Sequence, residues 1–213
     1  MPISIISLNG NTVEVVSLPL TPGLQSIDWS ATTAVATVTS VFTGQVQVQR
    51  WPGADMWSGT CTLPPMTRAQ AAPWRAALQQ LQGMQNAFQI GDPLIPTPQG
   101  NPQGAPAVDS STPVSAGSTS LPTLGWVPSQ INLLLPGDII QVGFRMHTVL
   151  DPVNSDANGK AVINVWPSLR EVPGGAITTS NALGLFRLAK NTVTWSTDYT
   201  KLTHLSFSIT EYR

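Results

Sequence analysis

The chain has 213 residues, room for one large or two small domains, and 41% of them are apolar, enough for a proper core. Only 10% are Asp, Glu, Lys or Arg, against roughly 25% in an ordinary soluble domain, and no lysine or arginine occurs from Ala76 to Phe144. Ten basic and eleven acidic residues leave a formal net charge of −1 with no basic run, which argues against nucleic acid and against attraction to anionic lipid.

Charge keeps free surfaces hydrated and apart, so its shortage predicts that much of this surface meets other protein. Seven tryptophans, at 29, 51, 57, 74, 126, 166 and 195, add large areas to bury. Cys61 is the single cysteine, so no intrachain disulfide is expected and the fold does not depend on an oxidising compartment. Met1 to Leu8 is apolar but short, with no basic residue before it, so no signal peptide is expected. No run of about 20 apolar residues is present to span a membrane as a helix, and folding in a cytoplasm is expected.

The first 65 residues read as β. Ile3–Ile6 and Val13–Val16 are β-branched runs around a turn at Asn9-Gly10-Asn11. Ala34–Val41 is rich in valine and threonine, and Gln45–Gln49 alternates strictly, the period of a half-buried strand. Pro52-Gly53-Ala54-Asp55 turns the chain. Met56–Leu63 returns with Trp57, Gly59, Cys61 and Leu63 on one face. A helix follows. Thr67 and Gln70 make a capping-box pattern, Trp74, Leu78 and Leu81 form an apolar stripe, and Gly83 supplies the left-handed stop. Pro73 predicts a bend or a late start.

Ile95–Gln130 carries seven prolines and one charge, Asp109, and is too long for an ordinary connection. It reads either as an extended segment ordered by packing on its neighbours or as a flexible arm exchanged between subunits. Ile139–Leu150 then reads as one long strand, Asn158-Gly159 as a hairpin turn and Ala161–Trp166 as the return strand. Leu183–Leu188, Thr192–Trp195 and Leu202–Ile209 read as closing strands, the last with Leu205, Phe207 and Ile209 alternating against Ser206, Ser208 and Thr210.

Several residues are candidates for chemistry. Asn154, Asp156, Asn158 and Gly159 match the start of a calcium loop, but the position that needs a bidentate glutamate is Val165, and a hairpin turn explains the run better. His147 and His204 are the only histidines and are not spaced as zinc ligands, so polar positions on half-buried strands are expected. Cys61 could act as a nucleophile with a histidine base, but its place in an alternating strand favours a small buried hydrophobe. Trp126 could stack on a sugar, with core or interface packing as the plainer reading. No nucleophile elbow, phosphate loop or dinucleotide fingerprint occurs, and the carboxylates are scattered. No catalytic residue, cofactor-binding residue or metal ligand is assigned, and no enzyme activity is expected.

One ordered set of motifs stands out. Phe42-Thr43-Gly44-Gln45-Val46-Gln47 leads through Trp51 and Trp57 to Leu63-Pro64-Pro65-Met66, then to Ala71-Ala72-Pro73-Trp74-Arg75 and Ile90-Gly91-Asp92-Pro93-Leu94. Leu135-Pro136-Gly137-Asp138-Ile139-Ile140-Gln141-Val142-Gly143 follows, with the Asp156/Gly159 turn, Pro167-Ser168-Leu169-Arg170 and Phe186-Arg187-Leu188-Ala189. From Phe42 to Ala189 this order resembles the distal tail proteins of long-tailed bacteriophages. The resemblance implies a β-sandwich belt domain with one packed helix, and an inserted small β-barrel of the oligonucleotide/oligosaccharide-binding type. It also implies a homohexameric ring in the virion tail tip, with itself, the tail tube and the tail-tip hub as partners, and tail fibres as a further one. No catalytic residues carry over; Arg75 and Arg170 match the pattern and are expected to be structural. The expected segments are 1–92 for the first part of the belt, 93–170 for the Pro-rich lead and barrel, and 171–213 for the closing belt strands. The alternative is a carbohydrate- or host-receptor-binding tail protein with the insert as its binding module.

Overall fold

The structure, a computed structural model, describes residues 3–8 and 10–213. In chain order the strands are β1 (Ile3–Leu8), β2 (Asn11–Val16), β3 (Ser26–Thr32), β4 (Val35–Thr39), β5 (Val46–Arg50) and β6 (Met56–Thr62). After helix α1 (Arg68–Gln80) come β7 (Phe88–Ile90), β8 (Gly104–Val108), β9 (Ser120–Trp126), β10 (Ile139–Val142), β11 (Arg145–Val149) and β12 (Ala161–Trp166). The last four are β13 (Ile177–Thr178), β14 (Gly184–Leu188), β15 (Trp195–Thr197) and β16 (Thr203–Glu211). The protein is thus mainly β, with one helix among the described residues and several sheets, one of them nearly closed like a barrel. The chain forms two compact units, both discontinuous: Met1–Ser30, Trp57–Ile90 and Gly184–Arg213 make the first, Ala31–Met56 and Gly91–Leu183 the second.

In the first unit the central sheet runs β3-β6-β16-β14-β7, with β15 also on β16. The long final strand is legible in the sequence because its alternation is real: Leu205, Phe207 and Ile209 are buried, and His204 and Ser206 are exposed. It pairs with β6, setting Phe207 opposite Cys61 and Ile209 opposite Gly59. Gly59 is needed there because a Cβ would come within 2.9 Å of the Asp28 carbonyl on β3. The β1–β2 hairpin hangs on this sheet through Val16 N–H to Ala87 O (2.8 Å) and Ala87 N–H to Glu14 O (2.9 Å). Gly10 of its expected turn has a left-handed φ of 79°, whereas Asn9 lies outside the described residues.

Helix α1 starts where the capping pattern puts it. Gln70 Oε1 accepts from the Thr67 backbone N–H at 3.0 Å. Trp74, Leu78 and Leu81 are all buried, and the Trp74 ring lies 6.3 Å from Phe207 of β16. The late start expected from Pro73 does not occur. The carbonyl that a residue-73 N–H would have met belongs to exposed Ala69, where water can take the bond.

The second unit holds an antiparallel sheet in the order β13-β10-β11-β12-β9-β8. Its two ends meet: Ala107 bridges to Ala176, and Val108 N–H donates to Gly175 O at 3.0 Å. Leu121, Leu133, Leu134, Ile140, Val149, Ile163 and Val165 fill the core inside it. Three expectations need correction. Ile139–Leu150 is two strands, because Gly143 (φ 59°) and Phe144 form a two-residue turn that sets Val142 opposite Arg145. The Pro-rich stretch supplies β8 and β9 to the sheet; Pro122 sits within β9, and its carbonyl still accepts from Asp109 N–H at 3.0 Å. The Asn158-Gly159 turn exists, but at the end of a longer connection between β11 and β12. Two short stretches also group differently from the expected segments. Residues 31–56 cluster with the second unit, and β13, beyond residue 170, pairs with β10.

Candidate interaction surface

Residues 31–56 are built around β4 and β5, a two-stranded ribbon with no third strand among the described residues. Pairing runs from Val35 opposite Arg50 to Thr39 opposite Val46. Paired residues share a face, so Val35, Thr37, Thr39, Val46 and Val48 lie on one face with Arg50 at its base, and Ala36, Val38, Gln47 and Gln49 on the other. The turn is closed by Ser40 N–H to Gln45 O (2.8 Å) and Gly44 N–H to Ser40 O (3.0 Å). Val41 and Phe42 stand at this tip 94% and 99% exposed.

The half-burial expected of Gln45–Gln49 is not found: every residue of β5 is exposed, Val46 at 57% and Val48 at 60%. The alternation correctly separates two faces, but among the described residues no further strand pairs with the ribbon, and its valines are exposed. A two-stranded ribbon is marginally stable alone, and apolar strands left in water invite pairing. Native ribbons are usually protected by lysine or glutamate, yet Ala31 to Gln49 contains no charged residue. That uncharged run is the signal that could have marked the ribbon in the sequence.

The base of the ribbon is fixed. Asp55, fully buried, accepts from Ala34 N–H (3.1 Å), Arg50 Nη2 (2.7 Å) and Ser168 Oγ (3.2 Å). Arg170 Nη2 donates to the Asp55 backbone carbonyl at 2.5 Å, and Gly53 N–H donates to Ser168 Oγ at 2.8 Å. These bonds explain why 31–56 belong with the second unit. Burial pushes the Asp55 carboxyl upward, but the bonds from Arg50 and Ala34 outweigh it and hold the group below its ordinary value. Arg170 is thus one of the groups that hold the base of the ribbon. Arg75 stacks its guanidinium 4.2 Å over the Trp195 ring, also a packing role.

The other singled-out residues do not converge. Cys61 is fully buried, and burial pushes its thiol up to about 12, far from a reactive thiolate. His147 is buried with Nδ1 2.9 Å from Pro167 O, and burial pushes its pKa down to about 4. His204 is exposed on β16, with Nε2 3.3 Å from Asp198 Oδ2. Asp156 Oδ1 accepts from the backbone N–H groups of Asn158 and Lys160, each at 2.8 Å, while Asn154 Oδ1 accepts from Asn132 N–H at 2.7 Å. Those oxygens brace loops, and Val165 is a core residue. Among the described residues no group of three or more His, Cys, Asp or Glu is placed to hold a metal ion. Trp126 is no sugar platform: its ring is buried in the barrel-like core and its Nε1 donates to Thr123 Oγ1 at 2.7 Å. Compared with known proteins, the chain matches no family model and no curated sequence.

Proposed function

We propose that this chain is a structural, non-enzymatic component of a bacteriophage tail tip, forming a closed ring of its own copies that joins the tail tube to the tail-tip hub. The observation that carries the reading is the β4–β5 ribbon, uncharged from Ala31 to Gln49, whose valines and Phe42 are exposed and which pairs with no third strand among the described residues. Burying Val41 and Phe42 alone contributes about 1.5–3 kcal/mol each. In this reading the first unit is the β-sandwich belt with its packed helix, and the nearly closed sheet of the second unit is the small oligonucleotide/oligosaccharide-binding-type barrel. A hexamer is the ring order that the distal-tail resemblance implies, and the virion tail tip is the location. The ribbon inserts into the neighbouring copy, and the rest of the charge-poor surface meets tube and hub.

Obligate interfaces bury about 2,000 Å² or more and are apolar, so the assembly should weaken only slightly with salt. Sedimentation of the purified protein over a concentration series, at low and high salt, is the test. A closed oligomer that persists in high salt is expected. A chain that stays monomeric at every concentration, and has no neighbouring copy within an intact tail, overturns the ring.

A further inference from the structure

We propose that an apolar groove on the second unit receives Phe42 from the ribbon of the next copy, so that neighbours join tip to groove; this rests on the ring reading above. The groove has a volume of about 410 Å³ and is walled by Val108, Pro113, Val114, Val172 and Pro173. Val114 packs against the barrel-like core, while Val172 is 74% exposed. Among the described residues, Asp109 is the one charged group in the lining, and it is already answered. Lys160 Nζ donates to its Oδ2 at 2.7 Å and Ser111 N–H to its Oδ1 at 2.9 Å. A charged ligand therefore finds no free countercharge on these walls, whereas an apolar side chain can enter without stripping a charge of its water.

Phe42 is the most exposed large apolar side chain among the described residues, with Val41 beside it, so it touches none of these walls in its own chain. The reason is geometric. The groove lies at the foot of the ribbon: Ser115 and Val172 in its walls are each two residues from Gly117 and Arg170, which stand against the ribbon's base. A Cβ on Gly117 would come 2.8 Å from Pro52 Cβ, and Arg170 Nη2 donates to Asp55 O at 2.5 Å. The tip lies five residues of β5 away, roughly 17 Å at about 3.4 Å per residue. The buried Asp55 carboxylate clamps the base through Ala34 N–H and Arg50, which holds the tip at that distance. The tip of another copy is under no such restraint. The two sides also match in charge: Ala31 to Gln49 carries none, and the groove's one carboxylate is paired within its own chain. Tip and groove are unlike surfaces, so the contact is head-to-tail and repeats from copy to copy, as a closed ring requires.

Photo-crosslinking of the full-length protein tests the contact. A benzophenone analogue of phenylalanine replaces Phe42, and isotope-labelled and unlabelled chains are mixed, so that mass spectrometry separates links between copies from links within one. Links should fall between copies, on residues 108–115 or 172–173. Val172→Asp, at an exposed position, should raise the concentration needed for assembly about tenfold or more, because an unpaired charge would then enter an apolar contact. Its melting temperature in dilute solution should match the parent's. An assembled chain whose position 42 links elsewhere, or only within its own chain, overturns this contact and leaves the ring standing. So does a Val172→Asp protein that assembles as the parent does. A chain that is monomeric at every concentration and yields no links between copies overturns both.

Discussion

The barrel-like sheet and the β4–β5 ribbon use the same strand grammar to opposite ends. In β12, Ala161, Ile163 and Val165 alternate with exposed Val162 and Asn164, and the inward three are buried. In β5, Val46 and Val48 alternate just as regularly with Gln47 and Gln49, and nothing is buried. The difference is the number of neighbours. Strand β12 lies between β9 and β11 in a sheet whose ends meet, so its apolar side chains face one another across a shared interior. Among the described residues, strand β5 pairs with β4 alone. Alternation says which side chains share a face, while burial needs a second layer, and a lone ribbon has none to offer. An apolar face on a closed sheet is thus a stability feature, and the same face on a lone ribbon is an offer to another surface.

The contrast breaks most sharply at the core. Trp126→Ala removes a buried ring and its bond to Thr123, and should cost about 3–5 kcal/mol. Urea unfolding followed by fluorescence measures it. A loss under about 1 kcal/mol would mean that the barrel-like interior is not the packed core described here.

A second test uses pH. His147 sits beside the sheet interior with its folded pKa lowered from 6.5 to about 4, chiefly by burial and further by the Arg145 and Arg170 charges. Its neutral form is the one the fold accepts, so its contribution is full above the unfolded value. That contribution is lost as pH falls from about 6.5 toward about 4, amounting to about 3 kcal/mol by the end. Asp109 and Asp198 are held at about 2, so their losses come at lower pH and do not overlap this window. His147→Gln, which keeps a donor for Pro167 O, should flatten the stability profile between pH 6.5 and 4. An unchanged slope in that variant would place the titration elsewhere.

The smallest effect on folding belongs to the ribbon. Val41→Ser with Phe42→Ser alters the two most exposed apolar side chains of the turn, and should change the stability of the isolated chain by no more than about 0.5 kcal/mol. The same pair should lower self-association strongly. A melting temperature that falls by several degrees in dilute solution would show that these side chains pack on their own chain, and would remove the contrast between ribbon and barrel.

How much was legible follows the same physics. The capping pair Thr67 and Gln70 and the stripe of Trp74, Leu78 and Leu81 predicted α1 and its buried side, because a helix settles its hydrogen bonds within itself. The alternation of Leu205, Phe207 and Ile209 predicted the inward face of β16 for a similar reason, since period two follows from the backbone alone. The turn at Gly143 was missed inside a run that reads as one strand, though a glycine before Phe144 was its mark. Strands β8 and β9 were hidden by their prolines, because composition speaks of flexible loops while the pairing partners Ala161–Asn164 lie far along the chain.

Local periodicity and turn chemistry were therefore written in consecutive residues, and the sequence alone determined a mainly β chain with one helix and a shortage of charge. Only the tertiary structure decided that Trp126 is core while Trp195 stays partly exposed under the Arg75 guanidinium, and that Val46 and Val48 of β5 face water while Ile163 and Val165 of β12 lie in a core. The reason is that burial is a property of pairs of segments distant in sequence. No single stretch records whether a partner will arrive to cover it.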